Sequence, residues 1–236
     1  ITFSLFISFN LDLSFYIYFK NFNENPNNIY LKNFFVEITR LGNSSWYFTL
    51  SIIGFGVFYL NNKFKIIQVS KTKQISNFFI SSILYILAVG IITQAGKHIM
   101  GRPRPNYTDF ENSVVFKFFT LESNFHSFPS GHSSTIFIVC LIISSVFPKL
   151  KYYFYFLGSI VALSRVVVGA HFFTDIVAGG LIALITFKLL NVLLEKKYAY
   201  YKFSNLVFIN RSHFFYYILF LIISCLFVSA GPSLDL

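Results

Sequence analysis

Three separate stretches of this sequence hold side chains suited to chemistry on an anion. They read KHIMGRPRP, PSGH and SRVVVGAHFFTD in chain order. Phosphoryl transfer depends mainly on positioning and on stabilising the negative charge that spreads over the phosphoryl oxygens. Cations, histidines and a carboxylate are suited to that task. The candidate residues are Lys97, Arg104, Ser130, Gly131, His132, Arg165, His171 and Asp175.

The basic residues and the PSGH stretch are predicted to bind phosphate. Arginine grips phosphate oxygens with a bidentate fork, whereas lysine acts as a point charge, so Lys97, Arg104 and Arg165 are complementary ligands. Ser130 and Gly131 precede an apolar run, where Ser130 is expected to cap a helix. The N-terminus of a helix offers free N–H groups and a favourable dipole to an anion, and a glycine there lets the backbone approach closely.

His171 and Asp175 are predicted to form the reactive pair. They are four residues apart and would share a face if one helix contained both. A carboxylate that binds one ring nitrogen fixes the tautomer and leaves the other nitrogen free to attack. His132 then remains as the candidate general acid for the leaving oxygen.

Some of these features also have a purely structural interpretation. Arg165 could extend its head group to water from the end of an apolar helix, and PSGH could be only a turn with a helix cap. The proximity of His171 and Asp175 in the sequence favours function for Arg165. Arg102 matches no required position and is predicted to have at most a peripheral role.

The composition predicts that membrane helices position these residues. Of the 236 residues, 55% are hydrophobic and 12% are charged. That charged share is about half of the share in ordinary soluble domains. A membrane helix needs roughly 20 mainly apolar residues. Five segments approach this requirement, namely Trp46–Leu60, Phe78–Ala95, Ser133–Phe147, Tyr152–Val168 and Ile176–Leu194.

The two ends of the sequence leave the number of spans open. The sequence begins with isoleucine rather than Met, so Ile1–Phe9 is predicted to be the end of a first helix whose start is missing. Asp12 then interrupts the apolar run and an amphipathic interfacial segment follows, with an ordinary first span over Ile1–Phe19 as the alternative. Phe214–Ala230 is either a seventh span or a surface helix. We predict one all-α domain over residues 1–236, a polytopic membrane bundle of about six transmembrane helices.

The distribution of basic residues predicts which side of the membrane each loop faces. The net charge is +10, and most lysines lie in Asn61–Asn77, in Pro148–Lys151 and after Leu194. These loops fall on one side of an alternating topology and are assigned to the cytoplasm. The three motif stretches fall on the other side, so the site is predicted at the outer interface, which is the periplasm of a bacterial inner membrane if the host is Gram-negative. The charge pattern fits anionic lipids, and neither a nucleic acid nor a protein partner is predicted.

In chain order the motifs read K-x6-RP, PSGH and SR-x5-H-x3-D. This set resembles the type 2 phosphatidic acid phosphatase superfamily, which includes bacterial lipid phosphatases, glucose-6-phosphatase and the vanadium haloperoxidases. The resemblance covers residues 96–175 by motif and most of the chain by helix pattern. It implies a lipid phosphate or diphosphate as substrate, His171 as a nucleophile that forms a phosphohistidine, Asp175 as its partner and His132 as the acid. It also implies that no metal is required, and no cofactor is predicted.

The substrate and two alternative classes of protein stay open at this level. Similar bacterial enzymes act on lipid A 1-phosphate, undecaprenyl diphosphate, phosphatidylglycerophosphate or phosphatidic acid, and lipid A 1-phosphate is the first choice from overall size and layout. A vanadium haloperoxidase would bind vanadate at the same residues, but the apolar spans argue against that class. A transporter would place its charges near the middle of the membrane, and an inactive scaffold would have lost a motif residue, whereas this sequence does neither.

Overall fold

The computed structural model describes residues 2–65, 72–107 and 115–197, with residues 2–10 and 195–197 described by their backbone alone. These ranges contain α-helices and short 3-10 turns but no β-strand, which confirms the predicted all-α class. The choice left open for Phe214–Ala230 lies outside the described residues. The helices are α1 (Thr2–Glu24), α2 (Ile29–Arg40), α3 (Ser44–Phe64), α4 (Thr72–Met100), α5 (Gly131–Val146), α6 (Lys151–Val167) and α7 (Phe173–Lys197).

Each apolar segment predicted as a span forms one helix, from α3 through α7 in order. Within the described ranges, three helices are long and apolar enough to cross a membrane, and they cover Thr72–Met100, Pro148–Val167 and Phe173–Leu194. The apolar helix α5 is shorter, with 16 residues. Length and composition therefore support three of the roughly six predicted spans.

Helix α1 continues without a break past Asp12, unlike the preferred division at that residue and in agreement with the alternative of one helix over Ile1–Phe19. The sequence predicted an interruption there, since a carboxylate facing lipid is costly. Asp12 instead lies inside the protein with only 3% of its surface exposed. Its charge is compensated by partners described below, so the helix has no reason to end.

Helix α5 packs against α4, α6 and α7. Its Ile138 and Ile142 belong to a buried apolar cluster that also contains Tyr85 and Val89 of α4 and Ala183 of α7. Between helices predicted to lie in a membrane, such contacts stabilise packing mainly through van der Waals attraction, because the surrounding lipid is also apolar. This cluster fixes the helices whose ends carry the candidate residues.

Gly179 lets α7 pack directly on the start of α5. A Cβ atom at this position would lie 2.5 Å from the carbonyl oxygen of Ser130. In the same region the N–H of Ser130 donates to the carbonyl of Asp175 at 3.0 Å, and Oγ of Ser133 donates to the carbonyl of Ile176 at 2.6 Å. The first turns of α5 and α7 are therefore held side by side.

The alternating directions of the helices bring the three motif stretches to one end of the bundle. The C-terminal ends of α4 and α6 meet the N-terminal ends of α5 and α7 there. Residues that are far apart in the sequence thus converge on one surface.

Candidate active site

Lys97 and Arg104 are separated by a sharp turn at the end of α4. Gly101 ends the helix with φ +56, and a Cβ atom there would lie 1.8 Å from the carbonyl oxygen of Lys117. Only glycine fits such a left-handed, closely packed position without distortion. Lys97 lies in the last turn of α4, and Nε of Arg104 donates to the carbonyl of Ser123 at 3.2 Å.

Ser130 caps α5, as the sequence predicts. Its backbone is extended, with φ −72 and ψ 118, and its side chain accepts a hydrogen bond from the N–H of Ser133 at 3.4 Å. A Cβ atom at Gly131 would lie 3.4 Å from Nζ of Lys97. The start of α5 and the ammonium of Lys97 therefore face the same space, as an anion site at a helix N-terminus requires.

His171 and Asp175 lie together, but the condition that one helix contains both is not met. Helix α7 begins at Phe173, so His171 belongs to the preceding turn and Asp175 to the first turn of the helix. Nδ1 of His171 faces Oδ2 of Asp175 at 3.5 Å, slightly beyond normal hydrogen-bond distance. The N–H of His171 donates to the carbonyl of Arg165 at 3.2 Å. Both side chains are almost fully buried.

The carboxylate of Asp175 is held by three donors besides its histidine neighbour. Oδ2 accepts hydrogen bonds from Oγ of Ser127 at 2.6 Å and from the N–H of Phe172 at 2.8 Å. Oδ1 accepts one from Nη1 of Arg102 at 2.7 Å. Such contacts keep a buried carboxylate charged and fix its orientation.

Arg102 corrects the sequence analysis, which predicted a peripheral role at most. It is buried, and its Nη2 donates to Oδ2 of Asp12 at 2.9 Å while Nη1 holds Asp175. Its guanidinium also lies 4.1 Å from the ring centre of Phe172, within cation–π range. Arg102 thus connects α1 to the residue that orients His171.

Asp12 completes this buried network from α1. Its Oδ1 accepts from the N–H of Thr174 at 2.8 Å, and its Oδ2 accepts from Oγ1 of Thr174 at 2.6 Å. In the sequence, Asp12 is a carboxylate within an apolar run, and Arg102 is an arginine without a motif position. Because a buried charge needs a partner, the sequence could have predicted that these two residues pair.

Three cations at the site contrast with Arg102. No described carboxylate lies within 4 Å of Lys97, Arg104 or Arg165. Nη1 of Arg165 donates to Oγ1 of Thr39 at 3.0 Å, but its buried Nε has no partner among the described residues. The positive charges of Arg104 and Arg165 act on both His132 and His171, and that of Lys97 acts on His132. The cluster therefore has unpaired positive charge and an unused donor.

The environment keeps His171 neutral. Burial lowers the pKa of His171 to about 4, although the neighbouring Asp175 acts in the opposite direction. Burial also lowers the pKa of Arg104 from its usual value. A neutral imidazole retains the lone pair that a nucleophile needs at neutral pH.

The turn between α2 and α3 contacts the site from another side. A Cβ atom at Gly42 would lie 2.7 Å from Cβ of His132, and Thr39 at the end of α2 accepts the hydrogen bond from Arg165. The sequence analysis did not identify either residue, because neither belongs to a motif. Their roles depend only on how α2 packs against α6.

The family of this chain is shown by its match to a sequence profile. The sequence profile of the PAP2 superfamily matches residues 78–199, more than half of the chain. The chain therefore belongs to the PAP2 superfamily, which confirms the resemblance to type 2 phosphatidic acid phosphatases. Membership of this superfamily, together with the three long apolar helices of the described ranges, identifies a membrane protein.

Particular relatives can also be named. The chain is 30% identical over 148 residues to proteins named lipid A 1-phosphatase from Rhizobium etli and Rhizobium johnstonii. The alignments cover 60% of this chain and 62% and 59% of those relatives, respectively, so about three fifths of their length is matched.

A solved structure shares the fold. It is a transmembrane PAP2-type phosphatidylglycerolphosphate phosphatase from Bacillus subtilis, which is 21% identical with a TM-score of 0.53. The superposition covers 85% of this chain and 90% of that chain.

Proposed function

We propose that this chain is a membrane phosphatase that releases phosphate from a lipid phosphate through a phosphohistidine on His171. One observation carries the proposal, namely the three cations Lys97, Arg104 and Arg165 without a described carboxylate partner beside a buried, neutral imidazole. A phosphate dianion supplies the negative charge that this arrangement lacks. Membership of the PAP2 superfamily supports the same reaction.

In the first step, the free ring nitrogen Nε2 of His171 attacks phosphorus. The N–P bond forms as the P–O bond to the lipid breaks, and the three cations stabilise the charge on the equatorial oxygens. His132 donates a proton to the leaving oxygen, which departs as a lipid hydroxyl. Burial and, after it, the neighbouring positive charges lower the pKa of His132 to about 3. A bound phosphate offsets those positive charges and shifts this pKa back towards the protonated imidazole that the role needs.

In the second step, water attacks the phosphohistidine. His132 accepts a proton from the water, the N–P bond breaks, and inorganic phosphate leaves with His171 restored. Asp175 faces Nδ1 throughout and stabilises the positive charge of the phosphorylated ring. Neither step draws on a metal ion.

For the substrate we propose lipid A 1-phosphate. The relatives from Rhizobium carry that activity in their names, and their 30% identity supports this choice over undecaprenyl diphosphate, phosphatidylglycerophosphate and phosphatidic acid. We further propose a bacterial inner membrane location with the site facing the periplasm. The basic loops at the opposite end of the bundle support this orientation.

The proposed reaction is tested with the purified protein in neutral detergent and a panel of these lipid phosphates. Phosphate release is expected to be undiminished in EDTA, because the three cations take the place of a metal ion. Vanadate, which imitates a pentacoordinate phosphoryl group, is expected to inhibit. The measurement is inorganic phosphate released per unit time from each lipid.

Three outcomes would contradict this proposal. Loss of activity in EDTA with recovery in Mg²⁺ would remove the metal-free mechanism. Oxidation of bromide by peroxide in the presence of vanadate, without lipid hydrolysis, would indicate a haloperoxidase. Release of phosphate from none of the lipids would indicate a transporter or an inactive scaffold.

Gly42 provides a test of how His132 is positioned. Because a Cβ atom there would lie 2.7 Å from Cβ of His132, Gly42→Ala is expected to shift the ring and lower kcat. Displacement of a catalytic group by about 1 Å can cost roughly 10²-fold. Gly56→Ala is the matched control, since a Cβ atom at Gly56 meets nothing within 4 Å. Equal kcat for the two variants would show that this turn does not position His132.

A further inference from the structure

A recess adjoins the candidate site on the side of α1. It has a volume of about 680 Å³ and lies between α1, the start of α2, residues 105–107 and the turn before α7. This recess, the α1 cleft, has the size of a ligand site. His171 forms part of its wall, whereas the proposed phosphate ligands Lys97, Arg104 and Arg165 are not among the described residues that line it. The α1 cleft thus begins beside the nucleophile and leads away from the phosphate site.

Two lysines give the α1 cleft a positive character. Lys20 of α1 and Lys32 of α2 both line it, and no described carboxylate lies within 4 Å of either ammonium. By contrast, Arg40 at the end of the same α2 is paired with Glu37 at 3.0 Å. Lys20 also lies 5.7 Å from the ring centre of Tyr16. Two ammonium groups that line one recess without a described carboxylate partner are suited to a second anionic group.

The two carboxylates among the described residues that line the α1 cleft do not pair with either lysine. Asp12 is held by Arg102 at 2.9 Å and by Thr174, and Glu24 lies more than 4 Å from both ammonium groups. A carboxylate accepts hydrogen bonds from hydroxyl groups, so Glu24 is suited to a ligand that carries hydroxyls as well as an anion.

Asn23 offers an unused acceptor in the same wall. Its Nδ2 donates to the carbonyl of Val167 at 2.7 Å, which fixes the amide. Its Oδ1 is buried and has no partner among the described residues. A buried acceptor without a donor is costly. A hydroxyl or amide N–H of a bound molecule satisfies Oδ1 only if the wall of the α1 cleft shifts to uncover it.

We propose that the α1 cleft binds the distal part of a lipid headgroup that carries a second phosphate together with free hydroxyl or amide groups. Lys20 and Lys32 bind the second phosphate while the first lies beside His171. This inference rests on the proposed function and narrows its substrate class to bisphosphorylated, sugar-containing amphiphiles. A phosphatidic acid headgroup, which ends at its single phosphate, leaves the α1 cleft empty.

Two disaccharide lipids that differ only in the distal phosphate provide the test. One carries phosphates at positions 1 and 4′, and the other carries the same 1-phosphate alone. Wild type in neutral detergent micelles is expected to show a kcat/KM at least about tenfold higher for the bisphosphate, from one or two charge-assisted hydrogen bonds. The double variant Lys20→Ala/Lys32→Ala should lose this preference, mainly through KM, and change less than about twofold on the monophosphate.

Matched variants and a small anion separate this role from general effects. Lys149→Ala/Lys151→Ala removes two exposed lysines at the opposite end of the bundle and should leave both substrates unchanged. Lys20→Arg/Lys32→Arg should retain the preference. Inhibition by inorganic phosphate, which binds the catalytic cations, should be equal in wild type and in the Lys20→Ala/Lys32→Ala variant.

Other results would overturn the inference. An equal loss of kcat/KM on both substrates in Lys20→Ala/Lys32→Ala would assign the lysines to folding or to the catalytic phosphate site. Weaker inhibition by inorganic phosphate in this variant would indicate the catalytic phosphate site. If wild type hydrolyses both disaccharide lipids and phosphatidic acid without preference, the α1 cleft inference is wrong but the proposed function is not contradicted. If wild type hydrolyses no lipid phosphate, both are wrong.

Discussion

His171→Ala is expected to abolish turnover of every phosphate ester. The variant removes the nitrogen that forms the bond to phosphorus. Asp175→Asn should lower activity on good and poor leaving groups alike, because it weakens the same nucleophile. Phosphate release from a lipid phosphate and from p-nitrophenyl phosphate measures both variants.

His132→Ala should behave differently from His171→Ala. A general acid contributes about 10²–10⁴-fold where the leaving oxygen needs a proton. A lipid hydroxyl needs that proton, whereas p-nitrophenolate scarcely does, so the loss should be much larger with the lipid. The ratio of the two rates isolates the role of His132 from damage to the fold, which would affect both substrates.

The covalent intermediate distinguishes the two histidines directly. Acid-quenched wild type should carry labelled phosphate from the substrate, and His171→Ala should carry none. A phosphoenzyme that persists in His171→Ala and disappears in His132→Ala would exchange the assigned roles.

The second large effect is expected at Arg102. Replacing it by leucine leaves the carboxylates of Asp12 and Asp175 without their shared cation. Breaking a buried ion pair on one side typically costs about 3–5 kcal/mol. Arg102→Leu is therefore expected to destabilise the protein severely, which thermal unfolding in detergent would show. Arg40→Leu is the matched control, because the ion pair of Arg40 with Glu37 is half exposed and such pairs contribute only about 0–1 kcal/mol.

A conservative variant separates positioning from stability. Arg102→Lys retains the charge but cannot bind Asp12 and Asp175 with the planar fork of arginine. We expect a folded protein whose kcat falls about 10–100-fold, since Asp175 loses one of the three donors that fix it against His171. Inhibition by vanadate should persist, because Lys97, Arg104 and Arg165 remain. Loss of vanadate inhibition together with kcat would contradict this positioning role.

Much of the fold could be predicted because apolar runs of suitable length leave a membrane protein little choice but helices. The segments that became α3 to α7 were identified in this way, and Ser130 was correctly predicted as the cap of α5. The family could be recognised because its site consists of a few residue types at short, fixed spacings. Three short motifs are therefore enough to identify Lys97, Arg104, Arg165 and the two histidines.

The tertiary structure alone decided which charges neutralise one another. The sequence distinguishes Arg104 from Arg102 only by its spacing from Lys97, and that spacing does not show which charges either arginine contacts. The packing of α1 brings Asp12 within 2.9 Å of Arg102, and the first turn of α7 brings Asp175 within 2.7 Å. Arg104 is left without a described carboxylate within 4 Å. Pairing depends on distances in space between segments that are far apart in the chain, and motif spacing carries no information about them.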